Sequence, residues 1–95
     1  MFNFFKKAES RKFYIIAVDG EHRCAVWTEK EYKANIKPMY LTLKAFDMPK
    51  NANPYHCHYI GKSVNGNSFM AYGISELMRQ IKEGLTIETM EIYKA

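Results

Sequence analysis

Phe13-Tyr14-Ile15-Ile16-Ala17-Val18-Asp19-Gly20-Glu21-His22-Arg23-Cys24-Ala25-Val26-Trp27 is the stretch on which the fold turns. Aromatic and β-branched residues flank an Asp-Gly pair, the pattern of two strands joined by a tight turn. Asp19-Gly20 supplies the two positive-φ positions of a type I′ turn, whose twist suits a two-residue hairpin. That turn pairs Val18 with Glu21 and Tyr14 with Ala25. Tyr14, Ile16, Ala25 and Trp27 then share one face, and Phe13, Ile15, Cys24 and Val26 share the other. Both faces are largely apolar. Such a hairpin belongs at the centre of a domain, covered on both sides, or against another copy of the chain.

Reading outward, Thr28 and Glu31 have the spacing of a capping box. A short helix follows, with Tyr32 and Ile36 one turn apart and Pro38 as its stop. Tyr40 to Phe46 alternates as a strand. Then the order recurs. Tyr55 to Val64 reads as a strand, Asn65-Gly66 as a second type I′ turn, and Ser68 to Tyr72 as the partner strand. Ser75 to Glu83 reads as a helix capped by Ser75, with Leu77, Met78, Ile81 and Leu85 in one stripe and Gly84 as its end. Leu85 to Tyr93 is a last strand whose phase shifts near Glu88, the mark of a bulge. A slide of 46 positions superposes Val18 on Val64, Gly20 on Gly66 and Ala25 on Ala71. One deletion at the helix start then superposes Glu31, Ile36 and Lys37 on Glu76, Ile81 and Lys82. In the second hairpin the expected turn puts Cys57, Tyr59, Gly61, Met70 and Tyr72 on one face, and Ile60, Lys62 and Phe69 on the other. The expected fold is a single α+β domain over residues 1–95: one antiparallel sheet built from two similar ββαβ halves (11–46 and 55–95, joined by a linker at 47–54). Both helices are expected on one face of that sheet.

Ninety-five residues leave room for one core. The aromatic share of 15% gives that core large side chains. A net charge of +4, spread along the chain, suits solubility more than a concentrated nucleic-acid footprint. No apolar run reaches the roughly 18 residues of a membrane span. No secretory leader is visible, and the two cysteines, Cys24 and Cys57, read as free thiols of a cytoplasmic protein. Phe2, Phe5 and Ala8 fit one or two helical turns that need a surface to dock on.

Few residues suggest chemistry. His22 with Cys24, and His56 with His58, form two alternate-residue pincers, but their spacing matches no common zinc pattern. Cys57 points away from its histidine neighbours, which leaves it without a base. No metal and no cofactor is expected. The second hairpin resembles that of the GIY-YIG nucleases in its Asn-Gly turn. However, Tyr59-Ile60-Gly61 stands before the turn, where that family has its other motif, and the strand after it reads Phe69-Met70-Ala71. No nuclease activity is therefore expected. The first half resembles the hybrid-binding domain of some ribonucleases H in Lys12-Phe13-Tyr14, Trp27 before a helix, and Lys44-Ala45-Phe46. That resemblance implies nucleic-acid binding through Lys12, Arg23, Lys44 and Lys62, with Tyr14 or Trp27 stacking on bases. With no phosphate loop and no acid–base pair, an enzyme is not expected. The favoured expectation is a binding protein acting on another protein through an aromatic and basic rim of Phe2, Phe4, Phe5, Arg11, Tyr40 and Tyr55. A symmetric oligomer is a further option. In size and composition the chain resembles the accessory and inhibitor proteins with which phages blunt bacterial defences.

Overall fold

The computed structural model describes residues 10–95. The expectations for Phe2, Phe4 and Phe5 lie outside the described residues.

The first hairpin forms as its turn dictates. Strands β1 (Arg11–Val18) and β2 (Glu21–Thr28) pair antiparallel, with Val18 opposite Glu21 and Tyr14 opposite Ala25. Asp19 and Gly20 both take positive φ, 50° and 82°. Helix α1 (Glu29–Glu31) begins at Thr28 with both bonds of the capping box: the Glu31 N–H donates to Thr28 Oγ1 at 3.1 Å, and the Thr28 N–H to Glu31 Oε1 at 3.2 Å. The helix then widens into a π-helical turn, Tyr32–Ile36. Tyr32 stacks on Tyr14, with ring centroids 4.0 Å apart and planes 5° from parallel, and its hydroxyl hydrogen-bonds Thr42. Strand β3 (Leu41–Asp47) closes the first sheet on the far side of β1, giving the order β2-β1-β3. Leu43 is skipped in that pairing, since Ile15 faces Lys44 and Ile16 faces Thr42.

The second sheet repeats this strand order as β5-β4-β6, with β4 (Cys57–Ser63), β5 (Ser68–Tyr72) and β6 (Ile87–Lys94). The bulge expected near Glu88 is present: Lys62 faces Thr89 while Ser63 faces Ile87. It brings Ile87 and Met90, three residues apart, into the same core. Helix α2 (Ile74–Lys82) begins at Gly73 and not at Ser75. Its first turn is secured instead by Glu76, whose Oε2 accepts the Tyr72 N–H at 3.3 Å.

Two expectations are corrected. The described residues form two three-stranded antiparallel sheets, not one sheet. In each, the first strand is already flanked on both sides by strands of its own half, so apolar faces, not strand edges, join the halves. Phe13 of β1 packs on Tyr59 of β4 at 5.4 Å, within a core that also holds Ile15, Leu77, Ile87 and Ile92. The helices also do not share a face. Tyr32 covers the Tyr14 side of β1, whereas α2 buries Leu77 and Ile81 in the core on the Phe13 side. The Cys24 N–H donates to Met78 Sδ at 3.1 Å, so α2 serves both sheets. The physical reason lies in β1: Phe13, Tyr14, Ile15 and Ile16 are all buried, so each of its faces needs a cover. The segment between the halves contributes too. Met48 and Ala52 are buried in the core, and Arg11 Nη2 donates to the Ala52 carbonyl at 2.6 Å. Lys44 Nζ crosses between sheets to the Glu88 carbonyl at 2.9 Å, satisfying a backbone acceptor in the bulge.

Candidate interaction face

The second hairpin decides which side chains meet solvent. A two-residue turn at Asn65-Gly66 would pair Val64 with Asn67 and Ile60 with Ala71; the observed pairing is one residue different. Ile60 faces Met70, His58 faces Tyr72 and Lys62 faces Ser68. The Gly66 N–H donates to the Ser63 carbonyl at 2.9 Å, and the Ser63 N–H to the Asn67 carbonyl at 2.8 Å. Gly66 alone in this turn takes positive φ, 88°. This is a three-residue loop, a type I turn followed by a glycine bulge. The one-residue shift corrects the expected faces. Met70 and Tyr72 join His58, Ile60 and Lys62 on the outer face, while Phe69 and Ala71 turn inward with Cys57, Tyr59 and Gly61.

Strand β6 completes that outer face. Tyr93 lies beside His58, Glu91 beside Ile60 and Thr89 beside Lys62. The face is thus three rows deep: Tyr72-His58-Tyr93, Met70-Ile60-Glu91 and Ser68-Lys62-Thr89. Met70 is 66% exposed, Tyr72 48%, Tyr93 46% and Ile60 41%. These are large apolar side chains on adjacent strands, and contiguous exposed apolar area of this kind marks an interaction surface. Around Tyr72 the polar atoms are ordered. Its hydroxyl lies 3.3 Å from His56 Nδ1, and its ring 5.0 Å from that of His58. The matching face of the first sheet is closed, because Tyr14 lies under Tyr32 of the π-helical turn and Ile16 is buried as well.

No protein-family model, curated protein or solved structure matches this chain.

The described members of the expected rim, Arg11, Tyr40 and Tyr55, are not all brought together. Arg11 and Tyr55 lie at one end of the molecule, where Arg11 bonds Ala52 and Tyr55 is exposed beside Gly73. Tyr40 precedes the opposite end of β3, where Leu41 pairs with Ala17 while Asp47 pairs with Lys12. Along a strand that separation is about 17 Å. The four basic candidates also divide. Lys12 and Arg23 share the Tyr14 face of the first sheet and pair with Asp47 at 3.7 Å and Glu21 at 3.3 Å. Lys44 reaches across to Glu88. Lys62 stands on the outer face of the second sheet. Tyr14 is buried under Tyr32 and has no face to offer a base, and Trp27 is half-buried opposite Lys12.

The two metal pincers lie on different sheets. His22 and Cys24 belong to β2, His56 precedes β4 and His58 lies within it. Among the described residues no three His, Cys, Asp or Glu side chains are placed to hold an ion. Cys57 is buried, with its Sγ 3.2 Å from the Asn53 carbonyl, and burial pushes its pKa up, away from the thiolate. An apolar cleft of about 180 Å³ between the sheets is lined by Ile15, Leu43, Val64 and Ile81, with His22 and Lys44 at its edge. Lys44 is already engaged there by the Glu88 carbonyl and carboxylate. No helix among the described residues is long and apolar enough to cross a membrane.

Proposed function

We propose that this chain is a non-enzymatic protein-binding domain that engages its partner through the outer face of the second sheet. The observation that carries the reading is the exposed Met70-Ile60 row with Tyr72 and Tyr93 beside it. Methionine and tyrosine are enriched where proteins meet, because both bury much area and adapt to a partner's shape. A small domain that contacts another protein in this way fits the role of an accessory or inhibitor protein, with phage defence evasion as its context. We also read the two ββαβ halves as a structural repeat, supported by their shared strand order. The nucleic-acid reading has less support, since three of the four basic candidates pair with carboxylates and the four are spread over three surfaces.

The test is co-purification of the tagged chain from host lysate that also contains untagged chain, with and without nuclease. The expected result is a stoichiometric protein partner, another protein or the untagged chain, that is indifferent to nuclease and reduced about tenfold or more by Ile60→Asp. Recovery of nucleic acid alone, lost on nuclease treatment, overturns the proposal.

A further inference from the structure

Building on the reading of the outer β4-β5-β6 face as a protein-contact surface, we infer that its partner is a second copy of this chain, packed face to face with the strands crossing near a right angle. The argument is one of charge. The middle and lower rows carry one cation and one anion, Lys62 and Glu91, both exposed. Neither takes part in an ion pair among the described residues. The patch is therefore neutral within a chain of net charge +4, and a neutral patch is the part of a cationic molecule that tolerates its own copy.

A symmetric dimer requires a two-fold axis lying in the plane between the faces, and four orientations suit a three-by-three array centred on Ile60. An axis along β4 sets Lys62 against Lys62 of the second copy. An axis across the strands sets Glu91 against Glu91. One diagonal sets Lys62 against Met70 and Glu91 against His58. The other diagonal sets Lys62 against Glu91 twice, Met70 against His58 twice, and Ile60 and Tyr72 each against themselves on the axis. Only this last arrangement gives both charges an opposite partner and keeps the apolar residues at the centre. It is also one of the two ways in which sheets stack, the orthogonal one. Paired charges at the edge of the apolar contact fix its orientation more than its strength.

The test is sedimentation of the full chain across a dilution series, with Lys62→Glu, Glu91→Lys, their equimolar mixture, the double swap and Ile60→Asp. The expected wild type is a dimer. Each single charge reversal weakens it about tenfold or more, because like charges then face each other twice. The mixture restores it as a heterodimer, since each chain supplies what the other lost, and the double swap restores it within one chain. Ile60→Cys gives a disulfide-linked dimer under mild oxidation, because that side chain meets its own copy on the axis. A dimer indifferent to the charge reversals, or one that the mixture fails to rescue, overturns this packing. A monomeric wild type overturns self-association. If the Ile60→Asp substitution still abolishes capture of a different protein in that case, the protein-contact reading stands without it. If the substitution changes neither, both readings fall.

Discussion

Gly61 sits where two backbones nearly touch. A Cβ there would run into the Thr89 carbonyl oxygen and come within 2.8 Å of Met90 Cα. Those atoms belong to the strand next to the β6 bulge and cannot withdraw without breaking its pairing. Gly61→Ala is therefore expected to cost about 3 kcal/mol, read as a lowered urea midpoint. Gly66 has open space around it but a φ of 88°, so Gly66→Ala costs only backbone strain, about 1 kcal/mol. Titration is also a matter of single residues. Burial pushes the Cys24 thiol from 9.0 up to about 12, and it raises Cys57 and Tyr59 as well. These groups stay neutral in the folded chain while the unfolded chain ionises first. Their contribution to stability is whole below about pH 9 and is lost as pH rises towards 12. Urea midpoints should hold level from pH 7 to 8.5 and fall above pH 9, and Cys24→Ala should flatten the start of that fall.

At the scale of elements, the π-helical turn matters most for the first sheet. Tyr32 covers Tyr14, which is 3% exposed. Tyr32→Ala should lower stability by about 2 kcal/mol and leave an apolar outer face, seen as new binding of a hydrophobic dye. Thr28→Ala removes the cap alone and should cost about 1 kcal/mol. The first hairpin and this capping box were legible in the sequence, because Asp-Gly and Thr-x-x-Glu each act within a few residues. The second hairpin was legible in place but not in register. Phe69, Met70, Ala71 and Tyr72 are apolar in both alternations, so no pattern there selects between a two-residue and a three-residue turn. The outer face depends on that choice, which is why it could not be read beforehand. Helix placement escaped for a similar reason, since Phe13-Tyr14-Ile15-Ile16 offers two apolar faces with nothing to say which helix covers which.

For the whole molecule, α2 is the common support. Leu77 is fully buried among residues of both sheets. Leu77→Ala should cost about 3 kcal/mol, and calorimetry should still record one transition, because Leu77 sits in the single core that both sheets share. The segment 55–95 alone should not fold, as it lacks Phe13 and Ile15. The same arrangement bears on how the protein is made. Synthesis delivers the first sheet early and α2 late: Cys24 and the Met78 sulfur that accepts its N–H are 54 positions apart. The Phe13 side of β1 therefore stays wet on the ribosome until the C-terminal third has cleared the exit tunnel. Between the emergence of β3 and that of α2, the nascent chain shows chaperones an open greasy sheet, so the order of synthesis sets a window of exposure that the finished fold conceals.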